Sequence, residues 1–331
     1  WKFSGFGTLG AVVSSTDQAE FRSSLRQSRG ADESGDLGVD SRLGLQANFK
    51  LNETFSAVAQ VLTSRRDGSD KPVVEWLFGQ AAVTPWLDLR AGRMVLPVFL
   101  FSDTRSVGYA QHWVRAPQEA YSAYPPSSFD GGMVQLHSSV GDVNMNLQVS
   151  AGQAAAKLFV SNREATLTYD KLYSVNLTAE RGDWTARIGR TQSPKVDIAN
   201  LGPLPPSDDV FSGAGLQYDN GKLLVVSEYL TRRNSAKTLD SNGYYASAGY
   251  RFGSVMPYLT SSHTEAKGLR NAGTSGSTQA VGVRWDALKN VALKTQLERL
   301  KPTTQDVHAT PAFSTTKPKF NVLSVTADFV F

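Results

Sequence analysis

The chain has 331 residues, 40% of them hydrophobic and 19% charged, with no cysteine and a formal net charge of +4. Disulfides and thiolate metal sites are therefore excluded, and the scattered basic residues give nucleic-acid binding no support. No apolar run approaches the about 18 residues that a membrane-spanning helix needs; the longest, Met94 to Phe101, is interrupted by Pro97.

Trp1 to Val13 reads as a strand, with Phe3, Gly5, Gly7, Leu9 and Ala11 alternating against Lys2, Ser4, Phe6 and Thr8. After a polar stretch, Leu37, Val39, Leu43, Leu45, Ala47 and Phe49 alternate with Asp40, Arg42, Gln46, Asn48 and Lys50. A dry core would not tolerate unpaired charges on that second face. Phe55 to Thr63, Val73 to Val83 and Leu87 to Arg93 follow as strands, and Met94 to Asp130 is the longest segment without strand alternation. Gly131 to Val140 and Val143 to Ala151 then form a hairpin over Gly141 and Asp142, and residues 152 to 170 are expected as a link. Four further hairpins are expected: Lys171 to Glu180 with Trp184 to Thr191, Val210 to Tyr218 with Lys222 to Arg232, Tyr244 to Phe252 with Val255 to Ser262, and Thr278 to Trp285 with Val291 to Lys301. The last thirteen residues place Leu323, Val325, Ala327, Phe329 and Phe331 on one face and Ser324, Thr326 and Asp328 on the other. An alternating strand with an aromatic at its end suits a barrel wall between lipid and a wet lumen, although the end of a soluble sandwich would alternate in the same way.

These segments make sixteen strands, joined by eight long links and seven short turns. An even count with alternating long and short connections is the plan of a bacterial transmembrane barrel. The count, the exceptional link between strands five and six, and the terminal Phe331 resemble the Gram-negative outer-membrane porins across essentially the whole chain. The expected fold is all-β, a single 16-stranded antiparallel transmembrane β-barrel domain over residues 1–331. The resemblance implies a third loop, about 94–130, folded inward to narrow the lumen. It also implies a homotrimer of independent pores in outer-membrane lipid and lipopolysaccharide, passing small hydrophilic solutes passively, with no reaction and no cofactor. The chain opens in a strand-like pattern without a basic and apolar leader, so an exported protein would be in its mature form here.

The third loop carries Phe99, Phe101, Tyr109, His112, Trp113, Tyr121, Tyr124 and Phe129 together with Asp103, Arg105, Arg115, Glu119 and Asp130. A loop of this length is more often functional than structureless. Folded inward, its apolar residues would pack on the wall and its charges would line a constriction; folded outward, it would be a flap or a trimer contact. Arg42, Arg90, Arg187 and Lys294 are expected on inward faces near mid-height, and Arg251 and Arg284 near short turns, against Asp40, Glu228, Glu298 and Asp328. Charge rings in a narrow pore set ion selectivity, so this wall predicts a preference for anions such as small carboxylates. The competing expectation is mutual neutralisation that only keeps the lumen wet. A substrate-specific channel would differ by a lumenal binding site.

Other patterns point less far. Gly5, Gly7 and Gly10 match G-x-G-x-x-G but lie inside a strand, not before the helix a dinucleotide site needs; a close contact between protomers suits them better. His112, His137, His263 and His308 lack metal spacing. His137 and Ser139 share a strand face, as a barrel hydrolase would require, but no catalytic constellation accompanies them. Asp32, Glu33 and Asp36 lack the ordered ligand pattern of a calcium loop. Trp76, Trp86, Trp184, Tyr218, Tyr244, Tyr250 and Trp285 fall near strand ends, where interfacial girdles sit.

Overall fold

A computed structural model describes residues 1–18, 20–160, 163–200, 207–267, 275–302 and 319–331. Sixteen strands form one closed antiparallel barrel in which each strand pairs with its sequence neighbours and β1 pairs with β16. The first half comprises β1 (Lys2–Ser14), β2 (Arg42–Lys50), β3 (Phe55–Ser64), β4 (Val73–Thr84), β5 (Leu87–Val95), β6 (Ser128–Val140), β7 (Val143–Val160) and β8 (Arg163–Arg181). The second comprises β9 (Trp184–Ala199), β10 (Ser207–Asp219), β11 (Leu223–Arg233), β12 (Ser241–Tyr250), β13 (Val255–Ala266), β14 (Gly276–Leu288), β15 (Val291–Pro302) and β16 (Phe320–Val330). Closure leaves no strand edge, so every ladder group finds a partner without water.

The period-two code is realised on both faces. On β16, Leu323 and Val325 are exposed while Ser324, Thr326 and Asp328 are buried. Leu45, Leu77, Ile188, Leu259, Val281 and Leu297 likewise stand outward, which is the side a bilayer would cover. Trp184 packs at a tilt against Tyr218, and Tyr250 against Phe252, each with ring centroids 4.8 Å apart, next to the short turns. Phe329 and Phe331 lie over Gly7 and Gly5 at the β1–β16 seam, where a Cβ on either glycine would come within 2.3 Å of a ring. The close contact expected of these glycines is thus made within the chain, where the barrel closes.

Three strands run past their expected ends. β7, β8 and β9 have 18, 19 and 16 residues, and the expected link at 152–170 is mostly strand. In this upper part the inward face is apolar: Ala154, Ala156, Leu158, Ala165, Leu167 and Tyr169 are buried against the loops inside the barrel. The lipid-against-lumen pattern that marks the other strands is thus absent there. Conversely, the expected second strand starts only at Arg42, because Val39 is buried with Phe21 and Ala31 of the first loop. Most of the eighth long link, with His308, lies outside the described residues.

The largest apolar core sits inside the barrel. Residues 96–127, between β5 and β6, contribute Leu96, Val98, Phe99, Trp113, Tyr121 and Tyr124 to one cluster with Phe211, Leu230, Tyr245 and Tyr258 of the wall. Phe99 stacks on Tyr121 at 4.4 Å and meets Phe211 edge-on at 5.6 Å; Trp113 meets Tyr245 edge-on at 5.6 Å. A short helix, α1 (Gln118–Tyr121), rests against β11 to β14, and a 3-10 turn (Gly108–Ala110) rests against β1 and β16. Strands β11 to β16 lie across the barrel from β5 and β6, so the segment crosses the interior to reach them.

Candidate functional site

The crossing segment is held by the inward charges of the far wall. Lys294 of β15 is fully buried; its Nζ donates to the carbonyls of Gly108 and Trp113 and pairs with Asp328 at 3.0 Å. Arg284 of β14 donates to the carbonyls of Tyr109 and Gln111, each at 2.7 Å. Arg187 of β9 donates to the carbonyls of Pro97 and Val98 and to the Asn176 amide oxygen. From the segment itself, Arg115 pairs with Asp40 at 2.5 Å and with Glu298, and donates to Ser324. Glu119 accepts from Ser262 and Thr278. Glu228 of β11 accepts from the Leu100 amide at 2.6 Å, Tyr121 at 3.0 Å and Tyr245 at 2.9 Å. Arg232 grips Asp209 at 2.7 Å and donates to the Ala123 carbonyl.

These contacts correct half of the expected constriction. Arg187, Lys294, Arg115 and Glu119 have their donors and acceptors committed to fastening the segment, so they are anchors rather than free pore charges. Asp130 is corrected too. It lies on β6, opposite in phase to the buried Phe129 and Met133, and forms a half-exposed pair with Arg93 of β5 at 2.7 Å. The reason is common to all: where the segment lies on the wall, inward-facing charges meet peptide groups and counter-charges instead of water.

The other wall stays open. On β2 to β6 the inward side chains include two hydrogen-bonded trios, Gln60 with Gln46 and Asn48, and Gln80 with Asp88 and Arg90. Arg90 donates to Gln80 at 2.9 Å and lies over the Phe78 ring at 5.6 Å. Among the described residues Arg42 makes no ion pair, and its buried Nε has no partner. It pairs with Thr8 of β1, which pairs in turn with Asp328 of β16. Across from this wall, Asp103 is exposed, and Arg105 covers Phe99 and Tyr121 at 5.6 and 5.9 Å. Arg42, Arg90, Asp103 and Arg105 thus remain open to the lumen.

The space between segment and open wall includes two chambers and a throat, a small cavity that shares lining residues with both. On the side of the long loops a chamber of about 150 Å³ is lined by Arg42, Arg66, Arg105, Ser106 and Ser127, among others. On the side of the short turns a chamber of about 610 Å³ is lined by Ser102, Asp103, His137, Asn146, Gln148 and Thr178. The throat, of about 10 Å³, is lined by Phe6, Gln60, Glu75, Trp76, Ser102, Asp103, Arg105 and Ser106. It shares Arg105, Ser106 and Ser127 with the first chamber and Ser102 and Asp103 with the second. That volume holds roughly one water molecule.

Sequence reading missed Glu75 and Trp76, which form the throat's wall-side face. The β3–β4 register shifts so that Gln60 faces Trp76 while Val61 faces Val74, and Glu75 is the extra residue of a bulge. Trp76 therefore points inward and is no part of the girdle expected for it. The signal was present as a break in parity, since exposed Val74 and Leu77 differ by three positions. Glu75 is held by Arg66 at 2.5 Å and Ser127 at 2.7 Å.

Other candidates do not assemble. Ser139 donates to Asn144 at 2.7 Å and His137 meets Asp88 at 3.3 Å, so the two are not joined as a nucleophile and its base. Asp36 is bonded to Arg65, and no group of ligating side chains suited to a metal occurs among the described residues. In the exposed first loop, Ser34 donors hold the Asp32 carboxyl below its usual range.

No family model and no curated protein matches the sequence. Solved structures do match over the whole chain. OmpF of Salmonella typhi, in complex with daunomycin, superposes with a TM-score of 0.65 at 14% identity, covering 100% of this chain and 97% of that one. The trimer form of OmpT, an outer membrane protein of Vibrio cholerae, gives 0.64 at 12%, covering 100% and 99%. An anion-selective porin from Comamonas acidovorans gives 0.60 at 14%, again covering 100% and 99%. The chain has the fold of the 16-stranded outer-membrane porins.

Proposed function

We propose that the chain is an outer-membrane porin, a water-filled channel through which small hydrophilic solutes diffuse, with a preference for anions. The observation that carries this reading is the pair of polar chambers meeting at a throat inside the closed barrel. Anion preference is supported by Arg42 and Arg105, which line the loop-side chamber without an ion pair among the described residues, and by Arg90 on the inner face of β5, against exposed Asp103. In a narrow pore with low-dielectric walls such a surplus attracts anions and repels cations. A homotrimer set in outer-membrane lipid belongs to the same reading, supported by the trimer form recorded for the similar OmpT.

Reversal potentials across a potassium chloride gradient in planar bilayers test the proposal. The expected sign is that of chloride selectivity; potassium selectivity would remove the anion preference, and the absence of discrete conductance steps would remove the channel.

A further inference from the structure

The chamber on the loop side is more basic than a wet passage requires. Six guanidinium groups line its about 150 Å³: Arg26, Arg42, Arg65, Arg66, Arg105 and Arg115. Four have counter-charges, Arg26 with Asp67 at 2.5 Å, Arg65 with Asp36 at 2.8 Å, Arg66 with Glu75 at 2.5 Å, and Arg115 with Asp40 and Glu298. Arg42 and Arg105 have none among the described residues. The buried Nε atoms of Arg42, Arg65 and Arg66 also lack any hydrogen-bond acceptor. Ser64 and Ser106, on the same lining, make no side-chain hydrogen bond among the described residues. Burial, followed by the neighbouring Arg26, holds the Arg105 pKa down to about 10, as expected of a cation crowded by cations. It stays charged at neutral pH, so two positive charges face the space without compensation.

We propose that this chamber is a binding station for a small doubly charged oxyanion, held between Arg42 and Arg105 and reached before the throat. The proposal rests on the porin reading and names the class of solute that the passage favours. Guanidinium groups offer parallel donors that match carboxylate and tetrahedral oxyanion edges, and low-dielectric walls strengthen the pairing. Two uncompensated cations match a dianion, whereas a monoanion leaves one of them unmet. The space suits a molecule of sulfate or succinate size, and the throat below makes the station a stop rather than a thoroughfare.

Single-channel chloride currents through the full chain in planar bilayers provide the test, with sodium sulfate, sodium succinate or sodium acetate added at matched ionic strength. Both dianions are expected to reduce the current saturably, at concentrations where acetate leaves it unchanged. Block is expected to be stronger from the long-loop face. Arg42→Gln and Arg105→Gln should each weaken it by about tenfold, the loss of one charge-assisted contact. Equal block by acetate, or undiminished block in both variants, would overturn the station while leaving the channel intact. If neither variant inserts, sidedness in the unaltered protein decides: equal block from both faces overturns it. Block by sulfate alone or succinate alone supports the station and identifies the geometry it accepts. A chain that forms no channel at all would instead end the porin reading, and the station with it.

Discussion

The wall from β9 to β16 and the wall from β2 to β6 carry the same kinds of inward side chain and use them in opposite ways. On the first, Arg187, Glu228, Arg232, Arg284, Lys294 and Glu298 are bonded to the crossing segment or to counter-charges beneath it. On the second, Arg42 lines the loop-side chamber and Arg90 donates to the Gln80 amide, and neither is bonded to the segment among the described residues. An inward charge on a barrel strand is therefore not yet a pore charge. What decides is whether the segment lies over it, because a buried charge must be paired while a wet one need not be.

Substitutions on the two walls should separate cleanly. The largest effect is expected from Arg115→Ala, which leaves Asp40 and Glu298 buried without their cation and costs about 3–5 kcal/mol. Heat-modifiable electrophoretic mobility would register it as a lower unfolding temperature and a less regular conductance; an unchanged transition would mean the segment is not held there. Arg187→Ala removes donors to two carbonyls of the segment, a loss of about 1.5–3 kcal/mol per charged hydrogen bond before relaxation. The same assay should rank it below Arg115→Ala, and the reverse ranking would contradict the central role of the Arg115 cluster.

On the open wall the effects should be on transport. Trp76→Ala should raise single-channel conductance by a factor on the order of two, since the indole borders the narrowest stretch; a conductance that does not change would place the throat elsewhere. Arg42→Ala and Arg90→Ala should move the reversal potential towards cation preference while altering stability by no more than about 0.5 kcal/mol. If they behaved like Arg115→Ala instead, the contrast between the walls would fail. The smallest effect, about 1 kcal/mol or less, is expected from Phe331→Ala, which uncovers Gly5 at a ring that is 61% exposed. Barrel refolding yield would detect it, and a severe defect would mean that closure depends on that ring far more than its exposure suggests.

Much of this was legible in the residue order. Alternation located all sixteen strands, and the code on Leu323, Ser324, Val325 and Thr326 assigned both faces of β16 correctly. It failed wherever the neighbour was neither lipid nor water. Ala154, Leu158 and Leu167 face inward onto protein, so the upper parts of β7 and β8 looked like a link. Lys294 and Arg42 are indistinguishable by phase and height, yet one meets the carbonyls of Gly108 and Trp113 and the other meets space. That distinction depends on the path of residues 96–127, which no periodicity encodes. Bulges defeat phase altogether, and the throat contains one.

The extra residue at Glu75 has an implication for how such a passage changes calibre. Because the inserted position puts two consecutive side chains, Glu75 and Trp76, on the inner surface, the aperture is governed there by chain length as much as by side-chain size. Removing Glu75 would leave an unbroken ladder in which Trp76 still faces Gln60 and Val74 still faces Val61, and would withdraw a carboxylate from the throat while keeping the indole inside. Insertions and deletions, usually the most damaging alterations to a sheet, would here act as a coarse valve setting, with point substitutions supplying the fine adjustment.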